Sequence, residues 1–170
     1  LPEHLSNGLC SLNPRVDRLV LSALLETDRK GRVVSAEFVK GVIRSSARMT
    51  YTEVARILES GPTHGDKEHY GPLLNDFREM GELAARLRER REARGSIDFD
   101  LPDADVVLDD TGLVVGIVPE SRNVAHRLIE EFMLAANEAV AKKLLFAKQP
   151  AMYRVHDPPD PDRLVDLRDV

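Results

Sequence analysis

Disulfide capacity is the first thing this sequence lacks. Cys10 is the one cysteine among 170 residues, which excludes an internal disulfide partner and suits a reducing, cytoplasmic setting. Long apolar runs are also missing. None approaches the roughly 18 residues that a membrane span requires, and the first residues do not follow a secretory-leader pattern, so no membrane partner is expected. A basic excess is absent too. The net charge is −5, and nothing in that balance argues for a dedicated nucleic-acid binder, so any polyanion site must be local. There are no internal repeats and no low-complexity tracts. The chain opens on Leu-Pro-Glu without a methionine and stops at Val170 just as a charged amphipathic pattern begins. We read it as a piece of a longer protein.

The composition is that of a soluble globular domain, with 42% apolar and 31% charged residues. A chain of this length makes one domain that buries roughly 70% of its unfolded surface. Residues 1–15 read as irregular, with Cys10 as a small buried hydrophobe. Residues 16–27 and 33–45 read as two strands, with Leu19, Leu21, Ala23 and Leu25 alternating on one face of the first. Asp28 to Gly31 form the hairpin loop between them. Thr50 and Glu53 have capping-box spacing, which starts a helix running to about Ser60 with Tyr51 at its first turn. Residues 61–71 read as a loop holding His64 and His69, and Pro72 as the first residue of a long helix ending near Arg94. The arginines of residues 86–94 either complement that helix's macrodipole or contact phosphate.

Beyond it, residues 97–100 read as extended, with Asp98 and Asp100 on one side and Phe99 on the other. Residues 105–108 and 113–118 form a second hairpin across Asp109 to Gly112. The strongest helical period lies in residues 121–139. It gathers Val124, Leu128, Ile129, Phe132, Met133, Ala135, Ala136, Ala139 and Val140 on one half of the wheel, an apolar arc wide enough to be covered on most of its circumference. Arg127, Glu131 and Glu138 read as a solvated edge with ion-pair spacing. Asn123, His126, Glu130 and Asn137 form a second polar stripe beside the apolar half. A carboxylate there needs hydrogen-bond partners. The stripe is either a satisfied structural network closing on Glu130 or a row of groups aimed at a polar ligand. Residues 152–155 suggest a short strand, and a helix starts near Asp162. The fold class is α+β, with two β-hairpins packed with two long helices.

Five runs along nearly the whole chain have a further property. LPEHLSNGLCSLNPRVDRL, VIRSSARMTYTEV, ARGSIDFD, ESRNVAHRLIEEFMLAANE and YRVHDPPD resemble, in order and spacing, the RNB domain of the ribonuclease II and ribonuclease R family, with details closer to ribonuclease R. The resemblance implies an internal part, residues 1–170, of a single RNB catalytic domain. The parent would be a processive, hydrolytic 3′-to-5′ exoribonuclease that acts on single-stranded RNA and releases nucleoside 5′-monophosphates. It implies Mg²⁺ held by an aspartate cluster upstream of these residues, with an arginine-bearing segment downstream. No catalytic or metal-binding residue is expected within the segment, and no hydrolysis from it alone. By the same resemblance, Tyr51 and Glu130 contact the ribose near the cleavage point, Phe99 stacks on the terminal bases, and Asn123 and His126 support them. Ser46 departs from the family pattern, which commonly has histidine there. The competing reading is a non-catalytic RNA-binding or scaffolding relative that has lost its aspartates.

Overall fold

The computed structural model describes residues 2–97, 103–120, 122–155, 158, 160, 161, 163 and 164. The chain divides into two compact units, Leu1–Ala139 and Val140–Val170. The elements, after a π-helical turn at His4–Leu9, are β1 (Asp17–Thr27), β2 (Val33–Arg44), α1 (Tyr51–Ser60), α2 (His64–Ala93), β3 (Asp103–Leu108), β4 (Val114–Glu120) and α3 (Val124–Phe146). The class is α+β, and β1–β2 and β3–β4 are separate antiparallel two-stranded sheets.

Both hairpins turn by the same device. In the first, Asp28 Oδ1 accepts from the backbone of Lys30 and Arg32, both at 2.9 Å. In the second, Asp109 Oδ1 accepts from the backbone of Thr111 at 2.8 Å and Leu113 at 3.0 Å. Each aspartate is followed three residues later by a glycine with positive φ, Gly31 at 69° and Gly112 at 84°. At Gly31 a second constraint applies. A Cβ there would lie 3.1 Å from backbone and Cβ atoms of Arg86, so the first hairpin's tip rests against α2.

Helix α1 starts where its capping residues require. Thr50 accepts from the Glu53 backbone at 3.2 Å, and the helix ends at Gly61 with φ 80°. It buries Ala55 and Ile57, and Leu58 packs over Gly81 of α2.

Helix α2 corrects the reading of residues 61–71 as a loop. It begins at His64 behind a capping box in which Thr63 and Asp66 satisfy each other's backbone N–H. Asp66 is held further by Arg56 of α1, whose Nη2 donates at 2.7 Å. Pro72 lies inside the helix rather than at its start. It forfeits one backbone bond there, and the capping box fixes the start two turns earlier. His64 and His69 are thus helical and exposed.

Helix α3 is covered on a narrower arc than its wheel suggests. Ala125, Leu128 and Ala139 are buried, whereas Ile129 and Met133 are 44% and 54% exposed. Glu131 overturns the solvated-edge reading, since it is 5% exposed. Exposed apolar residues are common elsewhere in the first unit, including Leu19 at 87% and Leu21 at 74% on β1. Cys10 is exposed as well, against the expectation of burial. It follows directly on the His4–Leu9 turn, whose last residue, Leu9, is also exposed.

In the second unit, residues 151–155 form no strand. A strand needs a ladder partner, and among the described residues none pairs with them. The expectations for Asp98, Phe99, Asp100 and Asp162 lie outside the described residues.

Candidate functional site

Tyr51 is the first residue of α1, held there by the Thr50 cap. Its ring stacks on that of His126, with centroids 3.9 Å apart and planes at 24°. The tyrosine remains 46% exposed, because the imidazole covers only part of it. Two segments far apart in the chain are joined at this stack, each through the first turn of a helix.

Asn123 explains why His126 is held in that pose. As the residue before α3, its Oδ1 accepts from the backbone N–H of Ala125 at 3.0 Å and of His126 at 3.2 Å, which is the capping role asparagine favours. The same oxygen lies 2.9 Å from His126 Nδ1. The backbone N–H of Asn123 also approaches Nδ1, at 3.4 Å, so this ring nitrogen is held between the side chain and the backbone of Asn123. Asn123 thereby fixes the helix start and the ring orientation together.

Glu130 stands one turn beyond His126 and has a partner that sequence reasoning missed. Arg122 Nη2 donates to Glu130 Oε2 at 2.6 Å, with side chains 29% and 37% exposed. The spacing was available: residues 122, 126 and 130 are four apart and share a stripe. The stripe therefore does not close on Glu130 through His126 and Asn137. His126 closes on Asn123, Glu130 closes on Arg122, and Asn137 is exposed.

The arginine-rich end of α2 is occupied by internal contacts. Arg91 donates from Nε at 2.9 Å and Nη2 at 2.7 Å to Glu131 Oε1, and from Nη1 at 2.6 Å to Ser96 Oγ. Arg94 pairs with Glu138 at 3.0 Å, and the Glu138 carboxylate beside it raises the arginine's pKa. Arg90 donates to the Gly31 carbonyl at 3.2 Å. These bonds dock α2 on α3 and on the first hairpin, a role that neither the macrodipole nor the phosphate reading foresaw. No local spacing signals contacts made 40 or more residues apart.

Tyr51, Asn123 and His126 are thus brought together, and Glu130 lies on the same helix stripe. Phe99 lies outside the described residues. The cluster offers a phenol, an imidazole and a carboxylate, suited to hydroxyl and amine donors. It does not fit a metal ion: among the described residues no three His, Cys, Asp or Glu side chains converge on one. No described helix is long and apolar enough to cross a membrane.

Comparison with known proteins gives this geometry a context. The sequence profile of the RNB domain matches residues 1–170. The chain belongs to the RNB-domain family. Among its RNB-domain relatives, ribonuclease R of Thermotoga maritima is 44% identical over 169 residues, covering 99% of this chain and 23% of that protein. Ribonuclease R of Aquifex aeolicus is 41% identical over 170 residues, covering 100% and 24%. The structure of Mycoplasma genitalium RNase R in complex with ribose methylated single-stranded RNA matches with a TM-score of 0.89 at 31% identity, over 99% of this chain and 26% of that one. The chain spans about a quarter of the length of these RNB-domain relatives.

Proposed function

We propose that residues 1–170 are an internal part of the catalytic RNB domain of a processive 3′-to-5′ exoribonuclease. The parent hydrolyses single-stranded RNA to nucleoside 5′-monophosphates, in the cytoplasm. Membership of the RNB family and the ribonuclease R relatives support the reaction class. Mg²⁺ is held by aspartates outside these residues, as the likeness to the RNB family implies, and this segment alone is inert.

Within the segment, Tyr51 and Glu130 recognise the ribose near the cleavage point, Asn123 and His126 support them, and Phe99 stacks on terminal bases. The observation that carries this reading is the Tyr51–His126 stack. It joins α1 to the face of α3 that bears Glu130. A carboxylate only accepts hydrogen bonds, and a ribose 2′-hydroxyl is a donor that DNA lacks. A phenol on the same sugar fixes its position. Stacking on Phe99 is indifferent to base identity and to the sugar.

The test is the ratio of turnover on RNA and DNA oligomers of one sequence, in the full-length parent. A hydrogen bond to a charged group contributes about 1.5–3 kcal/mol, or about one to two decades of discrimination. Glu130→Ala combined with Tyr51→Phe is expected to narrow the RNA-to-DNA ratio by about that much. Phe99→Ala is expected to weaken RNA binding and leave the ratio alone. An unchanged ratio in the double variant reduces Glu130 to a structural helix residue.

A further inference from the structure

The sign of Arg122 is wrong for its place in the fold. It stands immediately before the Asn123 cap of α3, at the helix end whose dipole favours negative charge and disfavours a guanidinium. The helix dipole therefore gives no reason for an arginine here, whereas Glu130 gives one. The Arg122 side chain runs two turns along the stripe that carries His126 and donates from Nη2 to Glu130 Oε2 at 2.6 Å. Both side chains are about a third exposed, and ion pairs in that setting contribute little to stability. What such a bond does supply is direction. A glutamate has three side-chain torsions, and a charge-assisted bond to one oxygen selects among them. It leaves the second carboxylate oxygen as an acceptor with a defined orientation.

We propose that Arg122 is the positioning residue for Glu130 and, through it, a determinant of the preference for ribose over deoxyribose. This rests on the reading of Glu130 as a ribose contact. Arg122 need not touch the substrate. It holds Oε2 so that the other oxygen meets a 2′-hydroxyl without first losing rotamer freedom, and the bond then forms at lower entropic cost. Lysine cannot replace it fully, because an ammonium is a point charge without the rigid fork of a guanidinium.

The experiment measures kcat/KM on RNA and DNA oligomers of one sequence, in the full-length parent, for Arg122→Met, Arg122→Lys, Glu130→Gln and the Arg122→Met/Glu130→Gln pair. Glu130→Gln is expected to lower the RNA-to-DNA ratio about ten-fold. Arg122→Met is expected to lower it several-fold, with Arg122→Lys between it and the parent. The double variant should fall no lower than Glu130→Gln alone, since a residue acting only through Glu130 has nothing to act on once the carboxylate is gone. That non-additivity is a readout that loss of folding stability does not mimic. A ratio unchanged in Arg122→Met, or effects of the two substitutions that multiply, overturns the role of Arg122 while leaving Glu130 as a ribose contact. A ratio unchanged in Glu130→Gln removes the ribose contact itself, and this inference with it. Should Arg122→Met fail to fold, Arg122→Lys carries the same comparison against Glu130→Gln.

Discussion

Among single residues, Asp66 has the most informative surroundings. Its carboxylate accepts from Arg56 at 2.7 Å and from the Thr63 side chain and backbone, each at 2.7 Å. These bonds, that from Arg56 foremost, lower its pKa from 3.8 to about 2. A carboxylate with a depressed folded-state pKa contributes stability above its unfolded value, and that contribution fades as pH falls through the folded value. Asp66→Asn should therefore lower the thermal midpoint at neutral pH. The gap from the parent should close between about pH 4 and pH 2, as read by thermal unfolding at stepped pH. A gap that stays constant across that window assigns the effect to packing instead. Asp66 also marks a limit of sequence reading. Thr63 and Asp66 have the spacing of a capping box in the sequence, but Gly61, Pro62, Gly65 and Pro72 around them read as loop punctuation. Tyr51 at a helix start and Glu130 on a polar stripe were legible. Arg122 was legible in spacing yet hidden, because its partner lies two turns away and its charge is unfavourable at a helix start.

At the scale of elements, helices α2 and α3 are joined by a pair that the helical wheel cannot show. Glu131 looked solvated because its wheel neighbours Arg127 and Glu138 are polar, and only tertiary packing places Arg91 against it. With Glu131 at 6% and Arg91 at 16% side-chain exposure, removing one partner strands a charge in a dry site. Such a break costs about 3–5 kcal/mol, whereas replacing both partners by apolar groups of similar volume is often neutral. Arg91→Ala is thus expected to destabilise the folded protein by about 3 kcal/mol or more in urea unfolding. Arg91→Met with Glu131→Leu should recover most of that loss. Equal destabilisation by the single and double substitutions points to Ser96, whose hydroxyl Arg91 also holds, as the partner that matters. The strands of the two hairpins were recovered to within about two residues, because an aspartate and a glycine at fixed spacing specify each turn, whereas the strand expected at residues 152–155 had no such signal and does not form.

For the molecule as a whole, many large apolar side chains among the described residues stand exposed. Leu19 and Leu21 on β1, Val106, Leu108, Ile117 and Val118 on the second hairpin, and Ile129 and Met133 on α3 are all exposed. Among the described residues no large side chain is wholly buried. Rows of exposed apolar side chains on a strand suit a surface that a partner covers, in keeping with the proposal that the chain is the inside of a larger RNB domain. The isolated 170-residue chain is accordingly expected to bind a hydrophobic dye and to self-associate in sedimentation. With Mg²⁺ it should leave labelled single-stranded RNA intact. Clean, protein-dependent release of monophosphates that survives mutation of Glu130 overturns the placing of the chemistry outside these residues. The alternation on β1 was legible in the sequence, but what covers that face was not, since periodicity defines a face without saying what lies against it.

The Tyr51–His126 stack also has a consequence for the order in which the molecule assembles. Each hairpin closes across a few residues, and α1 and α2 are neighbours in the chain, so these parts can form from local encounters. The stack cannot, because all of α2 and the β3–β4 hairpin lie between its two rings, and closing so long a loop carries an entropic cost that local pairs escape. Contacts made late in folding are mostly absent from the transition state, and their loss speeds unfolding more than it slows folding. The face that carries Tyr51, His126 and Glu130 is therefore expected to close late in folding and to open early in unfolding.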